Sequence, residues 1–468
     1  MRLGGHRLLA DLIAHPVSRL AQLVLAVLIV TCTFVTTERG MAGDRRYPIM
    51  LGLLGGAFVA CLLLTLAAAV LRHRSGEFTR GWRAAAAAAG PFVAVLVWAA
   101  ITVPMSPHSV LVRRGDSSSA MVVPPVGLIV PLAEALLAVV VAGMLVVLIG
   151  RSRLQMALWE TFLVLAVVTP ADLVREYTTE PPVGWRIATR FGGAAIYHTV
   201  LLLGVGVMVD AIRRRYRVVL SWLSVASMVG CLIASGSRAG FIDLGLFCVA
   251  LLIWGRPRGV EVRRRHLVKV IVGSVVAGAA VLWLGRLRGV GLVDRDRSQT
   301  WGLAWRALTE SPMTMLFGRG YGVMWPWFAN ESGMVPGAYH GMRDTQFGTS
   351  LPHAHNTLVQ IGAELGVLGV VLFLTSVVVI VVASLRAVGG PHGATSLALL
   401  ATFPGLVLDT YLVKNFPTSL LWWVVAISMV VLMSREGPGS RPSQSRPRRG
   451  ADAVSPGVDP VTSPLSPR

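Results

Sequence analysis

The sequence predicts an all-α protein that crosses a membrane about twelve times. Of its 468 residues, 54% are hydrophobic and only 14% are charged, whereas soluble domains carry roughly 25% charged residues. Apolar runs of about 20 residues recur along the chain, and a helix of that length can cross a bilayer. Charged side chains are therefore too few to cover soluble domains, and we expect a polytopic membrane protein.

Each apolar run predicts one spanning helix. The first run lacks a small-residue cleavage site, so we interpret it as a helix and not as a signal peptide. The predicted spans, in order, are 18–37, 48–71, 84–104, 122–149, 154–170, 193–211, 218–234, 239–254, 267–284, 356–385, 395–413 and 416–433.

The basic residues predict that both termini are cytoplasmic. With the N-terminus inside, 26 of the 43 arginines and lysines fall in cytoplasmic segments, 10 in short outer loops and 7 in one long outer segment. Cytoplasmic loops of membrane proteins carry an excess of these residues. The same bias accounts for the net charge of +20 better than nucleic-acid binding does, so we expect no nucleic-acid partner.

The chain divides into one transmembrane domain, 1–433, and a tail, 434–468. The tail is rich in proline, serine, glycine and arginine with almost no large apolar residues. Such a segment buries too little apolar surface to become ordered. We therefore expect a disordered, basic cytoplasmic tail.

The one long loop, 285–353, lies outside, between the ninth and tenth spans, and its aromatic and glycine content favours an ordered structure. Trp301, Trp305 and Leu308 recur at helical spacing after a possible N-cap at Ser298. This pattern predicts a helix that lies on the membrane surface in contact with lipids. Long loops of compact proteins are often functional.

The most informative segment, "SLPHAHNTLVQIGAELGVLG", closes the long loop and begins the tenth span. His355 falls near the helix N-terminus, with Gly362, Gly366 and Gly369 beneath it on nearly the same face. Small residues at this spacing let another helix approach closely, so we expect a rigidly held histidine. A neutral imidazole there could accept a proton from an attacking hydroxyl; the alternative is a histidine that only caps or anchors the helix.

A second candidate site is the outer turn "ASGSRAGFIDLG". Ser237 is predicted to cap a helix that begins around Arg238, and a helix N-terminus with an added arginine suits a phosphate or diphosphate. Arg297, before the tryptophans of the long loop, could complete such a pocket. The alternatives are an arginine that anchors the interface and a solvated or headgroup-facing charge.

Other ionisable residues lie within the predicted spans and are functional hypotheses by default. Glu364 lies on the opposite side of the tenth span from His355 and is expected to brace helix packing, while His198 is interpreted as a buried structural residue. The remaining residues of this kind are Glu134, Glu160, Asp243 and Asp409.

Absent motifs narrow the chemistry. The sequence has no P-loop, no G-x-G-x-x-G that opens a βαβ unit and no H-E-x-x-H. His353 is expected to point away from His355, and with no acidic partner nearby the two histidines make a poor metal site. We therefore predict no cofactor and no metal. Because the sequence has no nucleotide-binding motif and the candidate site lies outside, we also expect a donor that reaches the outer face already activated, such as a glycan on a polyprenyl diphosphate.

At these residues the chain resembles the O-antigen ligase/O-antigen polymerase family of bacterial envelope glycosyltransferases. The matching pieces are "SGSRAG" at 235–240, the Arg-then-Trp run at 297–305, "FGRGYG" at 317–322 and "HAHNTLVQIGAELGVLG" at 353–369. The resemblance covers roughly 195–410. The sequence departs from the family at Ala239, where a glycine often follows the Ser-Arg pair.

The resemblance implies a multi-pass inner-membrane enzyme that makes cell-envelope polysaccharide or lipopolysaccharide. Such an enzyme transfers a glycan from undecaprenyl diphosphate to an acceptor hydroxyl without a metal. Carried over, His355 is the base and Arg238 and Arg297 bind the diphosphate, with Ser237, His353, Asn356 and Glu364 in support.

Two alternatives to a ligase remain open. A ligase uses a lipid A core acceptor, whereas a polymerase of the same family uses a second lipid-linked glycan. A transporter, from a different class, should show internal repeats, and none is convincing in this sequence.

Overall fold

The computed structural model describes residues 15–35, 46–71, 76–106, 109–114, 117–179, 197–254, 295–335 and 342–434. Among these residues, eight helices are long and apolar enough to cross a membrane. This confirms the predicted all-α, polytopic membrane protein. The ninth predicted span, 267–284, and the tail after 434 lie outside the described residues.

The described residues of the first half of the chain are mostly long apolar helices. Their bounds are α1, Pro16–Val35; α2, Arg46–Leu71; α3, Gly76–Thr102; α4, Val126–Ile149; α5, Arg151–Thr179; α6, Tyr197–Arg213; α7, Val218–Ser235; and α8, Arg238–Trp254. A hairpin that the sequence did not predict, β1 (Ser109–Arg114) with β2 (Ser117–Val122), follows α3.

The long loop and the last helices make up the second half. The loop contains α9, Arg295–Leu308; α10, Pro312–Phe317; α11, Trp327–Glu331; and the hairpin of β3, Arg343–Thr345, with β4, Gly348–Ser350. The remaining helices are α12, Thr357–Ala387; α13, Gly393–Ala401; α14, Phe403–Leu408; α15, Tyr411–Lys414; and α16, Phe416–Met433.

Two sequence predictions in this half are wrong in detail. The eleventh span, 395–413, is broken into α13, α14 and α15, and this break leaves polar backbone between Leu408 and Tyr411. The surface helix α9 begins at Arg295, and Ser298 lies inside it, where its hydroxyl donates to the Arg295 carbonyl. Trp305 is exposed, as an interfacial helix requires, but the buried face of α9 carries Leu303 and Ala304.

Helices α4 and α16 lie at the centre of the bundle. The apolar window of α16 is 94% buried and that of α4 is 78% buried, compared with 22% for α2. A helix that is hydrophobic on all sides has no face to offer water and is buried on all sides. The two central helices pack on each other, and α3 packs on both.

Helix α12 is interrupted at Gly366, where the long loop docks. Gly366 has a φ of +71°, a left-handed conformation that glycine adopts without steric cost. The carbonyls of Ala363 and Glu364 accept hydrogen bonds from the backbone N–H groups of Arg319 and Gly320, at 3.1 and 2.8 Å. Carbonyls freed by a helix break inside a membrane bundle need such partners, and the loop supplies them.

The three glycines Gly362, Gly366 and Gly369 therefore have a different role from the one predicted. An added Cβ at Gly366 would collide with the backbone of Leu316 and Gly318, which belong to the loop, whereas an added Cβ at Gly362 or Gly369 would contact only side chains of α12 itself. The expected approach of a neighbouring helix along these three glycines is wrong. The close approach is made by the loop backbone, at Gly366.

Replacing Gly366 by alanine should release the loop and destabilise the protein. A non-glycine residue with positive φ costs on the order of 1–3 kcal/mol, and the added methyl group meets loop backbone that cannot move independently. We expect a lower thermal unfolding midpoint in detergent and faster proteolysis within 295–335. Gly362→Ala is the matched control, because its methyl group would contact only the Val370 side chain, at 3.5 Å; equal effects of the two substitutions would contradict this role of Gly366.

Candidate functional site

His355 is held in a strained conformation at the start of α12. Asn356 is the N-cap, and its side-chain oxygen accepts a hydrogen bond from the Val359 N–H at 3.1 Å. This cap fixes the backbone at the start of α12. His355 precedes it with a φ of +48°, which is uncommon for a residue other than glycine and is found most often where function constrains the backbone.

His353 contacts His355 directly, so the expectation that it points elsewhere is wrong. The centroids of the two imidazole rings lie 3.6 Å apart, and the ring planes are tilted by 41°. The Nδ1 atom of His353 accepts a hydrogen bond from the backbone N–H of His355 at 3.3 Å. This bond closes the turn and helps to hold His355 in its left-handed conformation.

Asp409 completes a cluster with the two histidines. One side-chain ligand atom each of His353, His355 and Asp409 lie within 4.8 Å of one another. Asp409 follows α14, and its carbonyl accepts a hydrogen bond from the Thr357 hydroxyl at 2.9 Å, which ties it to the start of α12. The expectation that the histidines lack a nearby acidic partner is wrong, because the break after Leu408 brings a carboxylate from the eleventh predicted span.

Two nitrogen ligands and one carboxylate form a donor set that can bind zinc or a similar ion. Positive charge beside the cluster opposes a bound cation. Arg297 donates to the Leu408 carbonyl at 2.9 Å, and the charges of Arg297 and Lys414 both act on His355 and on Asp409. The surroundings of the cluster therefore favour an anion at least as much as a metal ion.

Burial and these charges keep the His355 ring neutral. Burial, with the charges of Arg297 and Lys414 added to it, lowers the pKa of His355 to about 3. Burial raises the pKa of the Asp409 carboxyl, while the Thr410 N–H, Lys414 and Arg297 act in the opposite direction. Nδ1 of His355 is buried, and among the described residues it has no hydrogen-bond partner, so a buried acceptor is left unused.

Lys414 is one of the basic residues of the predicted short outer loops, and the sequence predicts no site role for it. It forms an ion pair with Glu331, and its ammonium lies 5.6 Å from the centre of the Trp327 ring. Both partners belong to α11, so the long loop holds Lys414 beside the histidines. Only the folded loop makes Lys414 part of the site, and no motif in the sequence marks it.

The turn between α7 and α8 has the predicted geometry. Helix α8 begins at Arg238, and the Ser237 hydroxyl accepts a hydrogen bond from the Gly240 N–H at 3.2 Å. Ser237 therefore caps the helix, and Arg238 lies half-buried in its first turn. Ala239 is helical at this point, so the position does not require the glycine that is common in the family.

Glu364 braces the long loop and not, as predicted, a neighbouring helix. Its carboxylate accepts a hydrogen bond from the Trp325 N–H at 3.2 Å and another from the Gly322 N–H. Glu364 is almost fully buried, so these bonds compensate a polar group that would otherwise be costly. The residue supports the fold of the loop that carries Glu331 and Trp327.

The cluster combines a neutral imidazole, two cations and a nearby carboxylate at the end of the bundle that carries the long loop. Such a group can remove a proton from a hydroxyl while the cations bind a polyanion beside it. The structure unites His353, His355 and Arg297 with Asp409 and Lys414. Ser237 and Arg238 are linked to this cluster through the buried residue His198. His198 lies 3.2 Å from the Ser237 hydroxyl and acts electrostatically on Asp409.

Residues 223–374 match the family described as O-antigen ligase, which confirms the resemblance for this part of the chain. The matched region contains Arg238, Arg297, both histidines and the break at Gly366, while Asp409 and Lys414 follow it. The match supports a glycan-transferring enzyme of the bacterial inner membrane that uses a lipid-linked glycan and an acceptor. A comparison with the curated proteins finds no match.

Proposed function

We propose that this protein transfers a glycan from undecaprenyl diphosphate to an acceptor hydroxyl on the outer face of the inner membrane. The observation that carries the proposal is the position of His355, which is neutral and has no hydrogen-bond partner at Nδ1 among the described residues, beside Arg297 and Lys414. A base next to an anion-binding pocket is the arrangement that transfer from a lipid diphosphate requires.

In the proposed step, the acceptor oxygen attacks the anomeric carbon of the donor glycan. A new carbon–oxygen bond forms there, and the bond from that carbon to the diphosphate oxygen breaks. The acceptor's proton passes to Nδ1 of His355, and undecaprenyl diphosphate leaves with the bonding electron pair. His355 is the catalytic base, and His353 is a positioning residue that holds the strained turn.

The leaving diphosphate needs positive charge, and the site offers it from three helices. Arg297 comes from α9 and Lys414 from α15, and Arg238 stands in the first turn of α8, where the helix dipole adds a partial positive charge. A bound diphosphate would offset the cations that act on His355. Its negative charge would therefore raise the basicity of His355 when the acceptor is to be activated.

We propose that the reaction needs no metal ion. A divalent cation at His353, His355 and Asp409 would occupy the nitrogen that the base uses, and it would be repelled by Arg297 and Lys414. Asp409 is assigned instead to stabilising the imidazolium that forms when His355 takes the proton, because an opposite charge nearby favours the charged form.

The proposed orientation places both termini in the cytoplasm, as the distribution of arginine and lysine predicts, and the long loop on the outer face. The acceptor distinguishes two versions of the function. A lipid A core acceptor makes the protein a ligase, and a second lipid-linked glycan makes it a polymerase.

Purified protein in lipid vesicles should transfer glycan from an undecaprenyl diphosphate-linked donor, extracted from the organism's own membranes, to one of these two acceptors. Transfer should continue in the presence of EDTA and a zinc chelator, since no step uses a metal. Product is measured by gel shift of the acceptor. Loss of transfer on chelation that zinc restores would make the histidine cluster a metal site, and solute uptake without any transfer would favour a transporter.

His355→Ala should lower transfer by about 10²- to 10⁴-fold, the usual contribution of a general base, while undecaprenyl diphosphate still binds. His353→Ala should lose less, because it removes only support for His355. Initial rates are compared at matched protein amounts. His392→Ala, at the N-cap of α13 and outside the cluster, is the control; an active His355→Ala with an inactive His353→Ala would reverse the two roles.

Arg238→Ala and Arg297→Ala should each weaken donor use by about 10- to 150-fold, which corresponds to roughly 1.5–3 kcal/mol for a hydrogen bond to a charged group. Lysine should restore little if the arginine binds through two nitrogens. The apparent KM for the lipid-linked donor measures the effect. Arg386→Ala, an exposed arginine at the other end of α12, controls for loss of charge; normal donor use by both site variants would refute the diphosphate pocket.

A further inference from the structure

A buried polar chain runs behind the Ser237–Arg238 turn. The Ser237 hydroxyl lies 3.2 Å from Nδ1 of His198, and Nε2 of His198 lies 3.1 Å from an Asp243 carboxylate oxygen. All three side chains are at most 2% exposed. His198 comes from α6 and the other two from the turn and body of α8, so the chain connects two helices.

Nε2 of His198 also lies 3.5 Å from the Thr199 hydroxyl, which is farther away than Asp243, and the closer contacts of the chain fit one arrangement of donors and acceptors. Ser237 already accepts from the Gly240 N–H at 3.2 Å, so its own hydroxyl hydrogen is free to be donated to Nδ1 of His198. We therefore assign the ring proton to Nε2, which donates it to Asp243. His198 thus fixes both the position and the direction of the hydroxyl that caps α8.

Gly240 is required for this close packing, and Gly405 lies in ordinary contact with it. An added Cβ at Gly240 would lie 2.7 Å from Cβ of His198, and one at Gly405 would lie 3.4 Å from Asp243 and 3.7 Å from His198. Gly240 therefore brings the first turn of α8 directly onto the histidine. Gly405 belongs to α14, and its carbonyl accepts a hydrogen bond from Asp409 at 2.8 Å, so the same cluster touches the helix that carries Asp409.

A buried histidine at this position costs free energy that an apolar side chain filling the same space would not. A buried imidazole and a buried carboxylate both lose their water, which well-packed apolar residues would avoid. One oxygen of Asp243, Oδ1, has no hydrogen-bond partner among the described residues. This costly arrangement lies where the turn that carries Arg238 begins.

We infer that His198 is a positioning residue that orients the first turn of α8, and with it Arg238, for binding of the lipid diphosphate. The inference rests on the proposed role of Arg238 as a diphosphate ligand. His198 itself touches neither donor nor acceptor; it acts through the hydroxyl of Ser237. It therefore sets donor affinity and leaves proton removal to His355.

Three substitutions of His198 separate its two hydrogen bonds. The amide of asparagine can occupy the place of Nδ1 and keep the bond to Ser237, whereas glutamine reaches the place of Nε2 and keeps the bond to Asp243. Binding of undecaprenyl diphosphate to purified protein in nanodiscs is the measurement. His198→Ala and His198→Gln should raise the Kd about 3- to 10-fold, as loss of a hydrogen bond worth up to about 1.4 kcal/mol does, while His198→Asn should stay close to wild type.

The decisive comparison is the effect of His198→Ala on undecaprenyl diphosphate binding with and without the Arg238 side chain. In an Arg238→Ala background, His198→Ala should cause no further loss of binding, because its effect passes through the arginine. An additional loss of the same size would overturn the inference, and so would wild-type binding by all His198 variants while Arg238→Ala binds poorly. Wild-type binding by Arg238→Ala would instead refute the diphosphate pocket on which the inference rests.

Gly240→Ala tests the same positioning with every polar group retained. The added methyl group pushes the turn away from His198, so it should raise the Kd for undecaprenyl diphosphate as His198→Ala does. Ser224→Ala is the control for a buried change in the neighbouring helix, since Ser224 bonds only the Leu220 carbonyl of its own helix. A well-folded Gly240→Ala that binds like wild type would contradict the positioning role.

Discussion

The break of α12 at Gly366 is the constraint on which the rest of the site depends. A helix in a membrane bundle cannot leave its carbonyls without partners, and here the loop backbone at Arg319 and Gly320 satisfies them. The same docking brings Trp325 to Glu364 and places α11 beside the last helices. Glu331 and Trp327 of α11 then hold Lys414. The interruption of α12 at Gly366 therefore helps to position a cation beside His355.

The electrostatics of the pocket link the two substrates of the proposed reaction. Burial and two cations make His355 a weak base in the protein without a bound donor. A diphosphate that binds the cations offsets their effect on the imidazole. In the proposed reaction, charge would couple donor binding to acceptor activation, and Asp409 would stabilise the imidazolium that results.

Buried hydrogen bonds connect the separate parts of the site. Thr357 joins the start of α12 to Asp409, Arg297 joins α9 to the end of α14, and His198 joins α6 to the cap of α8. Each of these bonds is worth little in water, but a buried polar group without a partner is costly. The network therefore specifies one arrangement of helices that are otherwise held by non-directional apolar packing.

The sequence by itself determined the fold class, most of the spanning helices and the segments that carry Arg238, Arg297 and His355. Apolar run length and helix caps such as Ser237 and Asn356 are local properties, so they can be recognised in the sequence alone.

Tertiary structure decided the rest: the contact of His353 with His355, the approach of Asp409 and Lys414, and the role of Gly366. The eleventh span does carry Pro404 and Gly405, which signal a break, but they do not say what the broken segment contacts. A carboxylate 54 positions after His355 becomes its neighbour only when α14 ends at Leu408 and the Asp409 carbonyl bonds Thr357. These contacts depend on backbone hydrogen bonds between distant segments, which hydropathy and periodicity do not encode.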